Sequence, residues 1–320
     1  MVNLLVLSNP GASHLKPLES LPASANVTVS DDPVALAKAA PDAGVILNAV
    51  WGGDLLRAVF PLAKKVRWVH NLSAGIELVR FPELVESHVP LTNGRGVFAE
   101  SLAEFVLAAA LFFAKEVRRM VRNQEACRWE TFDVEMLAGR TMGVVGYGEI
   151  GRASALLAHA SGMHVYALRR RTTLSEADPL LDAIYPPDQI RTMLSECDYV
   201  VVAAPLTPET RGMIGPREIE AMKTNAVVIN VGRGPVIDEA ALIAALRSGR
   251  IRGAALDVFD EEPLPEQHAF WTMPNVLLSP HTADHTKGWI ELAMQIFVRN
   301  FDHFIKGEPL ENVVDKRAGY

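Results

Sequence analysis

An arginine, a run of carboxylates and a histidine stand in the last third of this 320-residue chain, each where an apolar, β-rich run ends. Arg233 lies in Asn230-Val-Gly-Arg-Gly-Pro235, the carboxylates in Leu256-Asp-Val-Phe-Asp-Glu-Glu-Pro-Leu264, and the histidine in Ser279-Pro-His-Thr282. A glycine-flanked arginine lets the main chain turn tightly and aims a forked set of donors that suits a carboxylate. An imidazole titrates near neutrality and is a natural proton donor, and a carboxylate on its second nitrogen would hold its tautomer and raise its pKa. Together these residue types suit acid–base work on a bound carboxylate. Ligands of open α/β sheets collect outside the carboxyl ends of strands, where all three segments fall.

The rest of the chain must place those ends together. Its organising stretch is Gly146-Tyr147-Gly148-Glu149-Ile150-Gly151, after the apolar run from Met142 and before the helical Arg152-Ala-Ser-Ala-Leu-Leu-Ala. In a strand–turn–helix setting, Gly146 permits the turn, Gly148 admits a pyrophosphate to the backbone, and Gly151 lets helix pack on strand. The anion would sit at the helix N-terminus, on the N–H groups that begin at Glu149 and Ile150. Strands are expected at 141–146, 164–168, 199–204, 226–231, 252–258 and 276–279, with helices at 149–160, 188–197 and 238–248 between them. That is a doubly wound sheet. An earlier series has strands at 2–7, 27–30, 44–50, 67–72 and 89–93, with helices at 34–40, 54–65 and 76–86, and no phosphate-type glycine motif. One long helix is expected from Glu100 to about Cys127, bridging lobes or serving a dimer contact. The expected fold class is α/β: two Rossmann-like, doubly wound parallel-sheet domains, a flavodoxin-like substrate lobe (1–98 and 289–320) and a dinucleotide-binding lobe (99–288).

Composition narrows the partners. Hydrophobic residues make 49 % and charged residues 22 % of the chain, values of a soluble globular protein. A net charge of −7 argues against nucleic acid or an anionic membrane as the main partner. Cys127 and Cys197, the two cysteines, have no metal-like spacing, so no metal is expected and a reducing, cytoplasmic setting is. Neither a signal-type start, nor a membrane-spanning run, nor a carboxy-terminal address motif is read from the sequence.

The residues resemble the D-isomer-specific 2-hydroxyacid dehydrogenases over nearly the whole chain, most densely from Gly139 to His281. The matching blocks are Ala138-Gly-Arg-Thr-Met-Gly-Val-Val-Gly-Tyr-Gly-Glu-Ile-Gly, Ala204-Pro-Leu-Thr-Pro-Glu-Thr-Arg-Gly, Ile229-Asn-Val-Gly-Arg-Gly-Pro-Val-Ile-Asp, Gly253-Ala-Ala-Leu-Asp-Val-Phe-Asp-Glu-Glu-Pro-Leu and Pro280-His-Thr-Ala. The resemblance implies Arg233, Glu262 and His281 as the catalytic set, with Glu262 taken over Glu261 because the family's Glu directly precedes the Pro. It implies Asp257 as the acid that holds the nicotinamide carboxamide, and Pro205, Thr210 and Val231 as further cofactor contacts. In Ser73-Ala-Gly-Ile-Glu77, the amides of Ala74 and Gly75 are expected on the substrate carboxylate, alongside Arg233 and His281. It further implies reduction of a small 2-oxo acid to the D-2-hydroxy acid, a homodimer involving the long helix, and closure over the cofactor.

An NAD enzyme usually carries an acid about 20 residues past the glycines, for the ribose 2′-OH. Here the second strand runs into Arg169-Arg-Arg-Thr-Thr173, so NADP(H) is favoured, with Arg169 and Arg170 on the 2′-phosphate and NAD(H) the alternative. Trp51, Phe98 and Trp271 are candidate pocket walls. Phe98 stands close to where the family's formate dehydrogenases carry Asn, which disfavours formate; glyoxylate, hydroxypyruvate or a similar acid leads. Two rival readings are a nucleotide-sensing corepressor-like protein and a phosphonate or phosphite dehydrogenase. The second would want Lys64, Lys65 or Arg95 at the substrate loop.

Overall fold

Side chains of β1 (Val2–Leu7) point alternately into two apolar layers, because successive strand residues face opposite sides. The computed structural model describes residues 1–170, 172–174 and 177–319; Arg171, part of the basic stretch above, lies outside the described residues. It divides into two compact units, Met1–Phe98 with Lys287–Tyr320, and Ala99–Thr286.

In the first unit β1 is joined by β2 (Ala25–Ser30), β3 (Val45–Asn48), β4 (Trp68–Asn71) and β5 (Leu91–Asn93). All pairings are parallel and the order is β2-β1-β3-β4-β5, the flavodoxin-like order. Leu5, Leu7, Ile46 and Val69 join one core with the helices α1 (Pro33–Ala39), α2 (Asp54–Val59) and α3 (Pro82–Glu86). Leu4, Val6, Val45, Leu47 and Trp68 join the other, under the final helix Trp289–Lys306. There Trp68 stacks on Phe297, ring centroids 5.3 Å apart. Burying an apolar side chain of that size contributes roughly 1.5–3 kcal/mol.

The second unit begins with helices α4 (Ala99–Ala114) and α5 (Val117–Glu125). It continues β6 (Thr141–Val145), α6 (Glu149–Ala160), β7 (His164–Leu168), β8 (Ala183–Tyr185), α7 (Ile190–Glu196), β9 (Tyr199–Val202), α8 (Pro216–Ala221), β10 (Val227–Asn230), α9 (Glu239–Ser248), β11 (Gly253–Leu256) and β12 (Val276–Leu278). The parallel sheet has the order β12-β11-β10-β9-β6-β7-β8. The winding reverses between β6 and β9, which makes a topological switch point at the end of β6. Strands β6, β9, β10 and β11 are buried along their whole length, as a sheet covered on both faces requires. The fold class is thus α/β, with two Rossmann-like parallel sheets.

The single long helix from Glu100 is broken instead. Glu116 adopts a left-handed backbone (φ 53°), and α4 ends before it. Arg252, far along the chain, donates to the Phe113 carbonyl (2.7 Å) and to Glu116 (2.8 Å), so a cation takes over the end of α4. The expected helix 76–86 splits at Pro82, a short 3₁₀ turn (Glu77–Val79) preceding α3. Strand β8, helix α8 and a 3₁₀ turn at Ser13–Ser20 are additions to the sequence reading.

Candidate active site

The turn between β6 and α6 has the shape that a dinucleotide phosphate needs. Gly146 has φ 95°, and a Cβ there would stand 2.6 Å from the Ala204 backbone. A Cβ at Gly151 would stand 2.5 Å from the Gly146 carbonyl oxygen, so α6 packs hard on its strand. Around Gly148, by contrast, nothing lies within 4 Å of a Cβ position: the space in front of the helix N-terminus is open. Glu149 and Ile150 form its first turn. The residues present fit a dinucleotide pyrophosphate.

The flanking strand ends carry the other expected cofactor positions. Pro205 and Thr210 share a turn after β9, where the Thr210 hydroxyl donates to the Pro205 carbonyl at 2.6 Å. Val231 leaves β10 with its N–H on the Val202 carbonyl. At the end of β7, Arg169 is half-buried, with its N–H on the Tyr185 carbonyl, and Arg170 is exposed.

Three neighbouring strands deliver the acid–base set. After β10, buried Asn230 accepts from the Gly232 N–H (3.1 Å) and donates to the Arg233 carbonyl (3.1 Å), shaping the loop that presents the guanidinium. Gly234 is required there, since a Cβ would stand 2.0 Å from the Phe259 carbonyl carbon. After β11, the Phe259 N–H donates to Glu262 Oε1 at 2.9 Å, and the other Glu262 oxygen lies 2.6 Å from His281 Nδ1. His281 follows β12 in a left-handed backbone (φ 54°), a sparsely populated conformation for a non-glycine residue. Asp257, 1 % exposed, accepts from the Thr282 and Ala283 N–H groups at 3.0 and 3.1 Å. One oxygen of the expected carboxamide-holding acid therefore fastens the histidine loop.

The pairing sets the charges. The hydrogen bond to Glu262 raises the His281 pKa above its ordinary value against the opposing effect of burial, helped by the charges of Glu262 and Asp257. Burial pushes the Glu262 carboxyl up, but the bonds from His281 and Phe259 and the nearby positive charges outweigh it and hold it below its usual value. The pairing favours the protonated imidazole, braced by a carboxylate. The next carboxyl along, Asp284, is pushed up by burial.

Ala74 and Gly75 belong to the first unit, in the loop after β4. Of the candidate pocket walls, Phe98 is buried against Trp289, whereas Trp51 and Trp271 are 72 % and 51 % exposed. Lys65 is paired with Asp42 at 2.6 Å, and Arg95 reaches Asn312. The sequence reading did not single out Asn48, Asn71, Asn93 and Asn230 as site residues; each lies within a run expected as a strand, and each is the last residue of its observed strand. No group of metal-ligating residues and no helix long and apolar enough to cross a membrane occur among the described residues.

A dinucleotide cradle at a switch point, with an arginine, a carboxylate and a histidine on three successive strand ends, defines the class of dinucleotide-dependent oxidoreductases. Residues 107–283 match the family model of the D-isomer specific 2-hydroxyacid dehydrogenase, NAD binding domain. The chain is 34 % identical to a glyoxylate reductase of Thermococcus gammatolerans, over 81 % of this chain and 79 % of that one. It is 37 % identical to a glyoxylate/hydroxypyruvate reductase B of an Enterobacter species, over 69 % of each. A solved D-isomer specific 2-hydroxyacid dehydrogenase from Xanthobacter autotrophicus Py2, in complex with NADPH and MES, superposes with a TM-score of 0.84 at 31 % identity, over 100 % of this chain and 99 % of that one. The chain belongs to the D-isomer-specific 2-hydroxyacid dehydrogenase family. It is an NAD(P)-dependent oxidoreductase acting on 2-hydroxy acids.

Proposed function

We propose that this enzyme reduces a small 2-oxo acid, glyoxylate or hydroxypyruvate first, to the D-2-hydroxy acid. The observation that carries this reading is the 2.6 Å pair between His281, after β12, and Glu262, after β11, beside the β10 strand that Arg233 follows. A nicotinamide dinucleotide, when bound, supplies the hydride that adds to the substrate carbonyl carbon. Arg233 grips the substrate carboxylate with forked donors and polarises the adjacent carbonyl. The Ala74 and Gly75 amides, in the lobe that handles substrate, hold the same carboxylate. His281, charged through Glu262, gives its proton from Nε2, the nitrogen that Glu262 does not engage, to the developing alkoxide. Asp257 keeps one oxygen on the histidine loop and offers the other to the cofactor carboxamide. Gly146, Gly148, Gly151, Glu149, Ile150, Pro205, Thr210 and Val231 complete the cofactor bed.

NADPH is the preferred form in this reading. The end of β7 carries Arg169 and Arg170 where an acid would bind a ribose 2′-OH, and the Xanthobacter relative holds NADPH. The working unit is a homodimer: Met120, Val121, Trp129, Val134 and Met136 leave a run of large apolar side chains exposed from α5 onward. Sedimentation at micromolar concentration tests it, with a monomer as the contrary result. A panel of glyoxylate, hydroxypyruvate, pyruvate and larger 2-oxo acids, each with NADPH and NADH, tests the activity. NADPH-dependent turnover of the smallest acids is expected. Binding of the nucleotide with no turnover anywhere on the panel would overturn the reading.

A further inference from the structure

Three asparagines close three adjacent strands of the first unit in register. Asn48 of β3 faces Asn71 of β4, and Asn71 faces Asn93 of β5. They are 1 %, 2 % and 5 % exposed, and the Nδ2 group of each donates within the protein. Asn48 Nδ2 donates to Asn71 Oδ1 at 2.9 Å and to the Gly52 carbonyl at 2.9 Å. That bond orients the Asn71 amide, whose Nδ2 then faces the following loop. It reaches the Ser73 carbonyl (3.1 Å), the Ser73 hydroxyl (2.9 Å) and the Gly75 carbonyl (3.0 Å). Asn93 Nδ2 takes the remaining carbonyl, that of Ala74, at 2.6 Å.

Three successive carbonyls are thus tied to one row of neutral side chains. In a planar trans peptide the C=O and the following N–H point in opposite directions. Fixing the carbonyls of Ser73, Ala74 and Gly75 therefore turns the N–H groups of Ala74, Gly75 and Ile76 away from the asparagines. None of those N–H groups donates to a protein acceptor among the described residues. Consecutive N–H groups held in this way form an anion-binding nest.

We infer that Asn71 and Asn93, with Asn48 orienting Asn71, are positioning residues that set an amide cradle of Ala74, Gly75 and Ile76 for the substrate carboxylate. The inference rests on the proposed 2-oxo acid reaction and adds the groups that build its binding loop. Because the row is uncharged, the cradle recognises the carboxylate through aligned N–H groups rather than through an ion pair.

The test uses the full-length enzyme with Asn71→Asp and Asn93→Asp, which keep shape and lose the donors, and with Asn93→Ser at the edge of the row. We expect KM for glyoxylate to rise about tenfold or more with kcat within about threefold, since the interaction serves ground and transition states alike. The inhibition constant of oxalate, which has a carboxylate and no reducible carbonyl, should rise in step, and NADPH affinity should stay at the wild-type value. A merely structural role would instead lower the melting temperature or kcat and leave KM and the oxalate constant alone, and that result overturns the inference. Should Asn71→Asp fail to fold, Asn93→Ser decides by the same two constants. Unchanged constants in the asparagine variants, with Arg233→Ala still raising KM, sink the cradle and leave the reaction standing. A wild type that reduces no 2-oxo acid sinks both.

Discussion

Both units gather polar side chains at the carboxyl ends of parallel strands, yet the chemistry of the two sets is opposite. In the first, Asn48, Asn71 and Asn93 are neutral and buried; Asn71 and Asn93 donate to the backbone of one loop, and Asn48 donates to Asn71. In the second, Arg233, Glu262 and His281 are ionisable, remain partly exposed and influence one another across neighbouring strand ends. The contrast separates two tasks. Holding a carboxylate needs N–H groups that stay put, which neutral hydrogen bonds secure without a buried charge to compensate. Moving a proton needs a group poised between two charge states, and a charged partner sets that poise.

The largest effect expected from breaking the charged side is that of His281→Ala, which should lower kcat by about 10²–10⁴-fold with little change in NADPH affinity. Steady-state kinetics and nucleotide titration read the two quantities separately. Arg233→Ala touches both tasks, so kcat/KM should fall roughly 10²-fold with a raised KM among the causes. If KM alone moves, the arginine belongs with the asparagines as a binding group. A smaller change is expected from Arg169→Ala with Arg170→Ala: KM for NADPH rises about tenfold while KM for NADH holds. Equal changes for both nucleotides would remove the 2′-phosphate from the account.

The sequence was informative where local physics decides. Both parallel sheets could be read from β-rich runs separated by helical ones, and the glycine turn could be read because its backbone needs are local. At Gly146 and Gly151 the structure shows why no side chain fits. The pairing of His281 with Glu262 was also expected, but only the resemblance told Glu262 from Glu261. What was not legible depends on distant partners. The apolar stretch after Glu100 reads as one helix because nothing nearby signals a stop; the break at Glu116 is held by Arg252, about 136 residues away. The asparagine row was equally hidden. Each of its members lies in a run that had been read as a strand, but their common register exists only once β3, β4 and β5 pair.

The central claim is that the charge of Glu262 keeps His281 protonated for its task. Its direct test is the pH dependence of kcat for 2-oxo acid reduction in the wild type and in Glu262→Gln. The hydrogen bond to Glu262 leads the causes that raise the His281 pKa above 6.5. Activity should therefore persist above that value in the wild type and fall as rising pH deprotonates the imidazole. In Glu262→Gln the same fall should come at lower pH. An identical pH profile in the two enzymes would contradict the account.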